Sequence, residues 1–243
     1  MAESSAIEWT SATWNPWQGC HKVSPGCANC YMFREKARYG QNPDVVVKSK
    51  TMYDPTKWKS SKLVFTCSWS DWFIEEADPW RDEAWDVIRR TPHNTYQILT
   101  KRPERIAGHL PEDWPLKNVW LGVSTENQRR LEERAPILNA VPGDVVRFLS
   151  IEPLIGAVDL TGVRDIDWVI VGGESGPGAR FMSLDWVETV IRQCRNMGIP
   201  LFIKQLGEFW SKRVAAKDRK GGNMSEWPTW LRVREWPAAY AKT

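Results

Sequence analysis

The residues best suited to chemistry lie in one short stretch, residues 14–31, which holds three of the five cysteines of the chain. Cys20, Cys27 and Cys30 follow the spacing Cys-x6-Cys-x2-Cys, and Pro25-Gly26 predicts a turn just before the second cysteine. Such a loop can direct three thiolates at one centre. Thiolate is a soft ligand that selects zinc, Cu(I) or an iron–sulfur cluster. We therefore expect these cysteines to bind a metal.

The number of available ligands distinguishes a structural zinc site from an iron–sulfur cluster. A structural zinc ion takes a closed set of four ligands, but His21 is adjacent to Cys20 in the sequence and is poorly placed to bind the same ion. A [4Fe–4S] cluster held by three cysteines keeps one iron free for a substrate or cofactor. The spacing alone leaves cluster and zinc open, with three buried, inert thiols as the remaining alternative.

Length and charge set outer bounds on the fold and the partners. The chain has 243 residues, enough for one large α/β domain or two small ones, and its net charge of +3 gives only a weak attraction to polyanions. No apolar run approaches the roughly 20 residues of a membrane span. Residues 1–5 do not resemble a signal peptide. We expect a cytoplasmic protein with reduced cysteines and no membrane association.

The elements that must position the cysteine loop alternate regularly along the chain. Strands are predicted at residues 7–14, 63–68, 95–100, 118–123, 145–150, 167–171 and 200–204. Helices are predicted at residues 31–39, from residue 78, and at residues 103–110, 127–139 and 183–197. Strands that alternate with helices predict parallel βα units. The fold class is therefore α/β, with a full or partial (β/α) barrel of the TIM type over residues 1–207.

Polar or charged residues follow each strand after the first, where the loops of a barrel form its active site. These residues are Ser68, Asp71, Lys101, Ser124, Glu126, Glu152, Glu174, Lys204 and Gln205. Any one of them is as well explained by a helix cap or a solvated loop. Their joint position predicts one site at the same mouth of the barrel as the cysteine loop.

The segment 208–243 differs in composition from the rest of the chain. Five basic residues crowd into residues 212–220, and Trp227, Trp230 and Trp236 follow between prolines. We expect an extension that packs on the barrel or closes it. Basic charge beside aromatic rings also suits a nucleic acid or a phosphate-bearing ligand, which is the second interpretation.

Residues 7–20 and 23–31 closely resemble a phage and bacterial family of three-cysteine-motif proteins. The resemblance continues through residues 99–103, 122–126, 149–153 and 171–176. That family is similar to a divergent branch of the radical S-adenosylmethionine (SAM) enzymes, and Thr100-Lys101 is similar to a segment of the spore photoproduct lyase branch. Most radical SAM enzymes have the spacing Cys-x3-Cys-x2-Cys, so this loop carries three further residues between its first two cysteines.

The resemblance implies a radical-SAM-like barrel in which Cys20, Cys27 and Cys30 hold a [4Fe–4S] cluster. The free iron of that cluster would chelate SAM, and reductive cleavage would give a 5′-deoxyadenosyl radical. An external electron donor would act as a partner. If the chain is encoded by a phage, the protein would work in the cytoplasm of the host.

The resemblance also suggests roles for the residues at the strand ends, with no residue assigned to catalysis itself. The expected contacts to SAM are Ser68, Asp71, Lys101, Ser124 and Glu126. The expected contacts to the substrate are Glu152, Glu174, Lys204 and Gln205. The substrate would be a small molecule or a nucleotide, with modified or damaged nucleotides as a class suggested by the resemblance, and nucleic acid is a further candidate partner. The alternative function is a non-catalytic, zinc-stabilised protein that binds nucleic acid or another partner.

Overall fold

A seven-stranded parallel sheet forms the centre of the protein in a computed structural model that describes residues 4–242. In chain order the strands are β1 (Ala12–Trp14), β2 (Trp17–Gln18), β3 (Val47–Lys48), β4 (Leu63–Thr66), β5 (Thr95–Thr100), β6 (Val119–Ser124), β7 (Val146–Ile151), β8 (Trp168–Gly172) and β9 (Leu201–Gln205). The α-helices are α1 (Tyr31–Arg38), α2 (Asp78–Arg90), α3 (Gln128–Asn139), α4 (Leu184–Met197) and α5 (Gly207–Val214).

The sheet follows the chain in one direction, with the order β1-β4-β5-β6-β7-β8-β9 and parallel pairing throughout. It curls until the loop after β1 contacts the loops after β6 and β8. Gly26 donates its N–H to Glu126, and Arg180 donates to the carbonyl of Pro25. Within the described residues β1 and β9 do not pair with each other. The predicted parallel α/β architecture is confirmed in the form of a partial barrel.

The two faces of the sheet carry different side chains because successive residues of a strand point to opposite sides. On β6, Leu121 and Val123 pack outward in the core that includes the helices, whereas Trp120 points to the inner face. The inner face is filled by an aromatic and aliphatic cluster. Its buried members are Trp9, Leu63, Trp120, Phe148, Trp168, Ile170 and Phe202.

The inner face changes character from one end of the barrel to the other. Along β7 and just beyond it, the residues on the inner face are Phe148, Ser150 and then Glu152. The ring of Trp168 lies 5.9 Å from the Phe148 ring and 6.3 Å from the Trp9 ring. Aromatic packing therefore closes the amino-terminal half of the barrel, and the carboxyl-terminal half is left polar.

Most helix boundaries agree with the sequence prediction. The side chain of Asn127 accepts a hydrogen bond from the N–H of Arg130 at the start of α3, and Ser183 caps α4 through the N–H of Asp185. Gly198 ends α4 with a φ of 68°, a left-handed conformation that favours glycine. These caps fix where the helices leave the rim of the barrel.

Three predicted elements differ from the structure. The first strand is shorter than residues 7–14, since β1 spans only Ala12–Trp14. The predicted helix 103–110 is instead two short 3-10 turns, Pro103–Arg105 and Ala107–His109. The polar connection after α1 contains β3, which pairs with β2 as a small antiparallel sheet. Strands of two residues carry no periodic pattern, so sequence reasoning could not find them.

The carboxyl-terminal segment packs along the open edge of β9. Arg234 donates hydrogen bonds to the carbonyls of Ile203 and Lys204, and the ring of Trp236 stacks on that of Trp168 at 5.2 Å. Trp227 is buried. These contacts tie the segment to the barrel, while the division into residues 1–207 and 208–243 stays a prediction.

None of the helices in residues 4–242 combines the length and the apolar character that a membrane span requires. The expectation about a signal peptide concerns residues 1–5, and the first three of these lie outside the described residues.

The close packing of β6 against β7 gives a test of the fold. A Cβ atom on Gly122 would lie 2.5 Å from the ring of Phe148, its partner in the strand register. We therefore expect Gly122→Ala to lower the free energy of unfolding by about 1–3 kcal/mol, because the ring has no room to move. The measurement is a urea denaturation curve.

Gly108→Ala is the matched control, because no heavy atom lies within 4 Å of a Cβ at that position. This variant should be as stable as the wild type or slightly more so. Equal stability of the two variants would contradict the register of β6 and β7.

Candidate functional site

A cavity of about 570 Å³ opens at the carboxyl ends of the strands. One side is lined by Cys20, Cys27 and Cys30. Seven of the nine residues predicted from the strand ends also line it: Ser68, Asp71, Lys101, Ser124, Glu152, Lys204 and Gln205. Glu126 and Glu174 are not part of the lining.

The cysteine loop is shaped by its own backbone hydrogen bonds. Pro25–Cys27 forms a single 3-10 turn, in which the N–H of Cys27 donates to the carbonyl of Ser24 at 2.9 Å. The N–H of Cys30 then donates to the carbonyl of Cys27, and α1 begins at the next residue. The turn predicted from Pro25-Gly26 is confirmed. Cys27 is buried, whereas Cys20 and Cys30 are partly exposed.

Glu126 holds this loop from the outside of the cavity. Its side chain is fully buried, and it accepts a hydrogen bond of 3.0 Å from the N–H of Gly26 and another of 3.0 Å from Arg134. Burial alone would raise the pKa of Glu126, but hydrogen bonding by Ser24 and the charges of Lys101 and Arg134 hold it below its ordinary value. Glu126 is therefore a charged anchor for the loop, and its expected contact with SAM stays a prediction.

Glu174 has the same function at the other end of the loop. Its carboxylate accepts a hydrogen bond of 2.9 Å from the side-chain amide of Asn29. Arg180 pairs with it through two nitrogens, at 2.6 and 3.0 Å, and also donates to the carbonyl of Pro25. Burial opposes ionisation of Glu174, but these hydrogen bonds lower its pKa below the ordinary value. Its expected contact with a substrate also stays a prediction.

Asp71 joins the ends of β4 and β5 to the cysteine loop. One carboxylate oxygen accepts from the hydroxyl of Thr100 at 2.6 Å, and the other accepts from the N–H of Lys101 at 2.8 Å. Arg102 lies 3.2 Å from the same carboxylate, and its other contacts are to the cysteine loop: the Cys20 sulfur at 3.8 Å and the carbonyl of His21 at 3.1 Å. Asp71 is 4% exposed, so little of it is available to a ligand.

Lys101 and Ser124 present polar groups to the cavity. The ammonium of Lys101 donates to the hydroxyl of Ser124 at 2.9 Å, and both residues line the cavity. Ser68 lies nearer the cysteines, where its hydroxyl is hydrogen-bonded to Asn15 and its carbonyl accepts from the hydroxyl of Tyr31. These residues bring one cation and two hydroxyl groups to the side of the cavity near the cysteine loop.

Glu152 and Lys204 form an ion pair of 3.1 Å on another wall. Ser150 lies beside them, with its hydroxyl 3.4 Å from the Glu152 carboxylate. A Cβ on Gly172 would meet that carboxylate at 2.6 Å, so the glycine makes room for it. Gln205 donates to the carbonyl of Gly173 at 2.8 Å. This wall offers a cation, a carboxylate and a hydroxyl within reach of one ligand.

Three thiols of one loop are the candidate ligands for a soft metal. Burial raises the pKa of the Cys20 thiol to about 12, with the charge of Asp71 adding to the effect and Arg102 opposing it. Binding of a metal to this thiol would therefore release its proton. Within residues 4–242, no group of three or more His, Cys, Asp or Glu side chains is arranged so that it could hold a metal ion. Cys20, Cys27 and Cys30 are the residues that would hold the metal, because three thiols of one loop line one cavity.

Sequence reasoning missed Ser150 and Arg102, which also line the cavity. Ser150 has a readable signal, because it lies two residues after Phe148 and two before Glu152 on the same face of the strand. Arg102 has no such signal. It follows Lys101 directly, and the sequence does not show which of the two would pair with Asp71 and reach the cysteine loop.

The buried pair of Glu126 and Arg134 should control stability. Glu126→Ala would leave the guanidinium of Arg134 buried without its partner, so we expect a loss of about 3–5 kcal/mol in the free energy of unfolding. The matched control is Glu133→Ala on α3, whose carboxylate pairs with Arg129 and Arg130 at the surface. That variant should change stability little. Urea titrations that give equal losses for both variants would show that the loop is not anchored through Glu126.

Comparison with known proteins identifies the family of the chain. The model of the family described as "Protein of unknown function (DUF5131)" matches residues 4–233, a range that includes the cysteine loop and all seven parallel strands. No curated protein and no solved structure matches the chain. The family description names no activity, so the resemblance to radical SAM enzymes stays a prediction. The chain belongs to the DUF5131 family.

Proposed function

We propose that this protein is a radical SAM enzyme whose cavity holds a [4Fe–4S] cluster and a molecule of SAM beside it. The observation that carries the proposal is the placement of Cys20, Cys27 and Cys30 on the same cavity as the polar residues of the strand ends. A cavity of about 570 Å³ is in the range that small-molecule cofactors occupy. When bound, the cluster would supply the electron for reductive cleavage of SAM.

The residues near the cysteine loop suit the polar groups of SAM. Lys101 offers an ammonium group for the carboxylate of the cofactor, and it is already oriented by Ser124 at 2.9 Å. The hydroxyl groups of Ser68 and Ser124 would accept or donate hydrogen bonds to its amino and ribose groups. Asp71 would act indirectly, because its carboxylate fixes the backbone of Lys101.

The Glu152–Lys204 wall is the proposed substrate side. The two side chains of an ion pair that lines a cavity can separate and bind a charged or polar ligand instead. This costs little free energy when the ligand replaces the contact that each side chain loses. Ser150 and Gln205 would add hydrogen bonds. This set suits a polar substrate of the nucleotide class. An external electron donor would deliver the electron.

The cysteines give the first test of this proposal. We expect Cys20→Ala, Cys27→Ala and Cys30→Ala each to abolish cluster binding, because a cluster held by three thiolates loses one of its few protein ligands. Cys194→Ala is the control, since Cys194 is buried on α4 among Val190 and Ile191. The measurement is iron content and absorbance near ~400 nm after anaerobic reconstitution. Equal iron in the wild type and Cys27→Ala would refute the assignment.

The cofactor contacts give the second test. Lys101→Met and Ser124→Ala should each weaken SAM binding by about tenfold or more while iron content is kept, because each removes a hydrogen bond to a charged or polar group. The control is Lys57→Met, an exposed lysine paired with Asp54. SAM is titrated while the electron paramagnetic resonance signal of the reduced cluster is followed. Unchanged affinity in both cavity variants would place SAM elsewhere.

A further inference from the structure

A second cleft lies on the surface beside the cysteine loop, outside the cavity described above. It has a volume of about 400 Å³ and is lined by Gly178, Ala179, Phe209, Lys212 and Arg213. Two of these residues come from the loop after β8 and three from α5. One aromatic ring, two cationic side chains and two small residues therefore enclose an open cleft that the proposed function does not use.

Two exposed aromatic rings lie at this cleft and beside it. Phe209 is 40% exposed and Phe181 is 52% exposed. Their ring centroids lie 5.4 Å apart in an edge-to-face arrangement, and Trp186 extends the group on the far side of Phe181 at 6.0 Å. Contiguous apolar surface of this kind marks interaction sites more often than isolated exposed residues do.

Positive charge is concentrated in the same segment. Residues 207–222 contain five basic and two acidic residues, an excess equal to the net charge of +3 of the whole chain. Lys212 and Arg219 share the carboxylate of Glu208. Among the described residues, no ion pair involves the exposed side chains of Arg213, Lys217 and Lys220. Of these three residues Arg213 lines the cleft, and its positive charge is available to an anionic ligand.

The side chain of Asn29 connects the cleft to the cysteine loop. The amide of Asn29, the residue before Cys30, donates to the carbonyl of Gly178 at 3.0 Å and to Glu174 at 2.9 Å. Lys220 lines the main cavity, so the basic segment also reaches the rim of the candidate site. Residues of the segment 207–222 therefore line both the cleft and the cavity.

We propose that this cleft binds single-stranded nucleic acid, with a base stacked on Phe209 and phosphates paired with Arg213 and the neighbouring lysines. Exposed rings beside cations are the combination that binds unpaired strands, because any base can stack and every phosphate carries a charge. A duplex would keep its bases stacked on each other, so the rings favour a single strand. The binding does not depend on a cluster. Only the identification of the bound strand as the substrate rests on the proposed function.

The first experiment measures binding of fluorescently labelled oligothymidylate and oligouridylate of about twelve nucleotides, within the usual length of such sites. Fluorescence anisotropy is recorded with the full-length protein at several salt concentrations. The plot of log K against log salt should have a slope of about −0.7 for each phosphate neutralised. Arg213, Lys217 and Lys220 therefore predict a slope of about −2. The protein should bind equally well before and after anaerobic reconstitution with iron and sulfide, which separates this inference from the proposed cluster.

Variants of the cleft residues separate the contribution of base stacking to the affinity from the contribution of charge. Phe209→Ala should weaken binding by about 5- to 150-fold with an unchanged salt slope, since stacking on a ring carries no charge. Phe209→Trp should keep the affinity. Arg213→Ala should weaken binding and make the salt slope less steep by about 0.7. Tyr39→Ala and Arg129→Ala are matched controls, because these residues are strongly exposed but lie elsewhere.

Three results would overturn the inference. The first is no oligonucleotide binding at low salt by a protein whose thermal unfolding shows that it is folded. The second is an equal loss of affinity in the control variants and in the cleft variants. The third is tighter binding of anionic phospholipid vesicles than of the oligonucleotides, with the same sensitivity to Phe209→Ala and Arg213→Ala, which would assign the cleft to a lipid surface.

Discussion

The position of the cysteine loop depends on two buried carboxylates, each neutralised by an arginine. Glu126 accepts from the backbone of Gly26 and pairs with Arg134, and Glu174 accepts from Asn29 and pairs with Arg180. A buried charge is costly unless it is paired and hydrogen-bonded, so each pair favours one arrangement of the loop. The loop that carries the thiols is thereby fixed to strands on the opposite side of the partial barrel.

The curl of the sheet brings those two carboxylates within hydrogen-bonding distance of the cysteine loop. Its amino-terminal half is packed with rings around Trp168, and its carboxyl-terminal half ends in polar groups such as Lys101 and Glu152. Glycines at inner positions make this gradient possible, because Gly122 leaves room for a ring and Gly172 leaves room for a carboxylate. The proposed chemistry would therefore take place in a polar cavity that lies next to a cluster of packed aromatic rings. A site supported in this way holds its side chains in place before a ligand arrives.

The carboxyl ends of parallel strands meet at one end of a barrel. This rule predicts much of the site, because it requires only the order of the strands. It correctly brought Cys20, Lys101 and Lys204 to one cavity. It does not distinguish a residue that lines the cavity from one whose side chain is buried outside it, as those of Glu126 and Glu174 are. That distinction depends on long-range pairs, separated by 100 and 145 residues. Local patterns contain no record of such pairs, nor of the two-residue strands β2 and β3.

The most direct test of the central claim is the metal content of the wild-type protein purified without oxygen. Iron, acid-labile sulfide and zinc are measured on the same sample, together with its colour. The account predicts a brown protein with about four irons and four sulfides per chain. It also predicts that added SAM changes the electron paramagnetic resonance spectrum of the reduced sample. A colourless protein with one zinc ion per chain and no sulfide would contradict the account and would favour a zinc-stabilised binding protein.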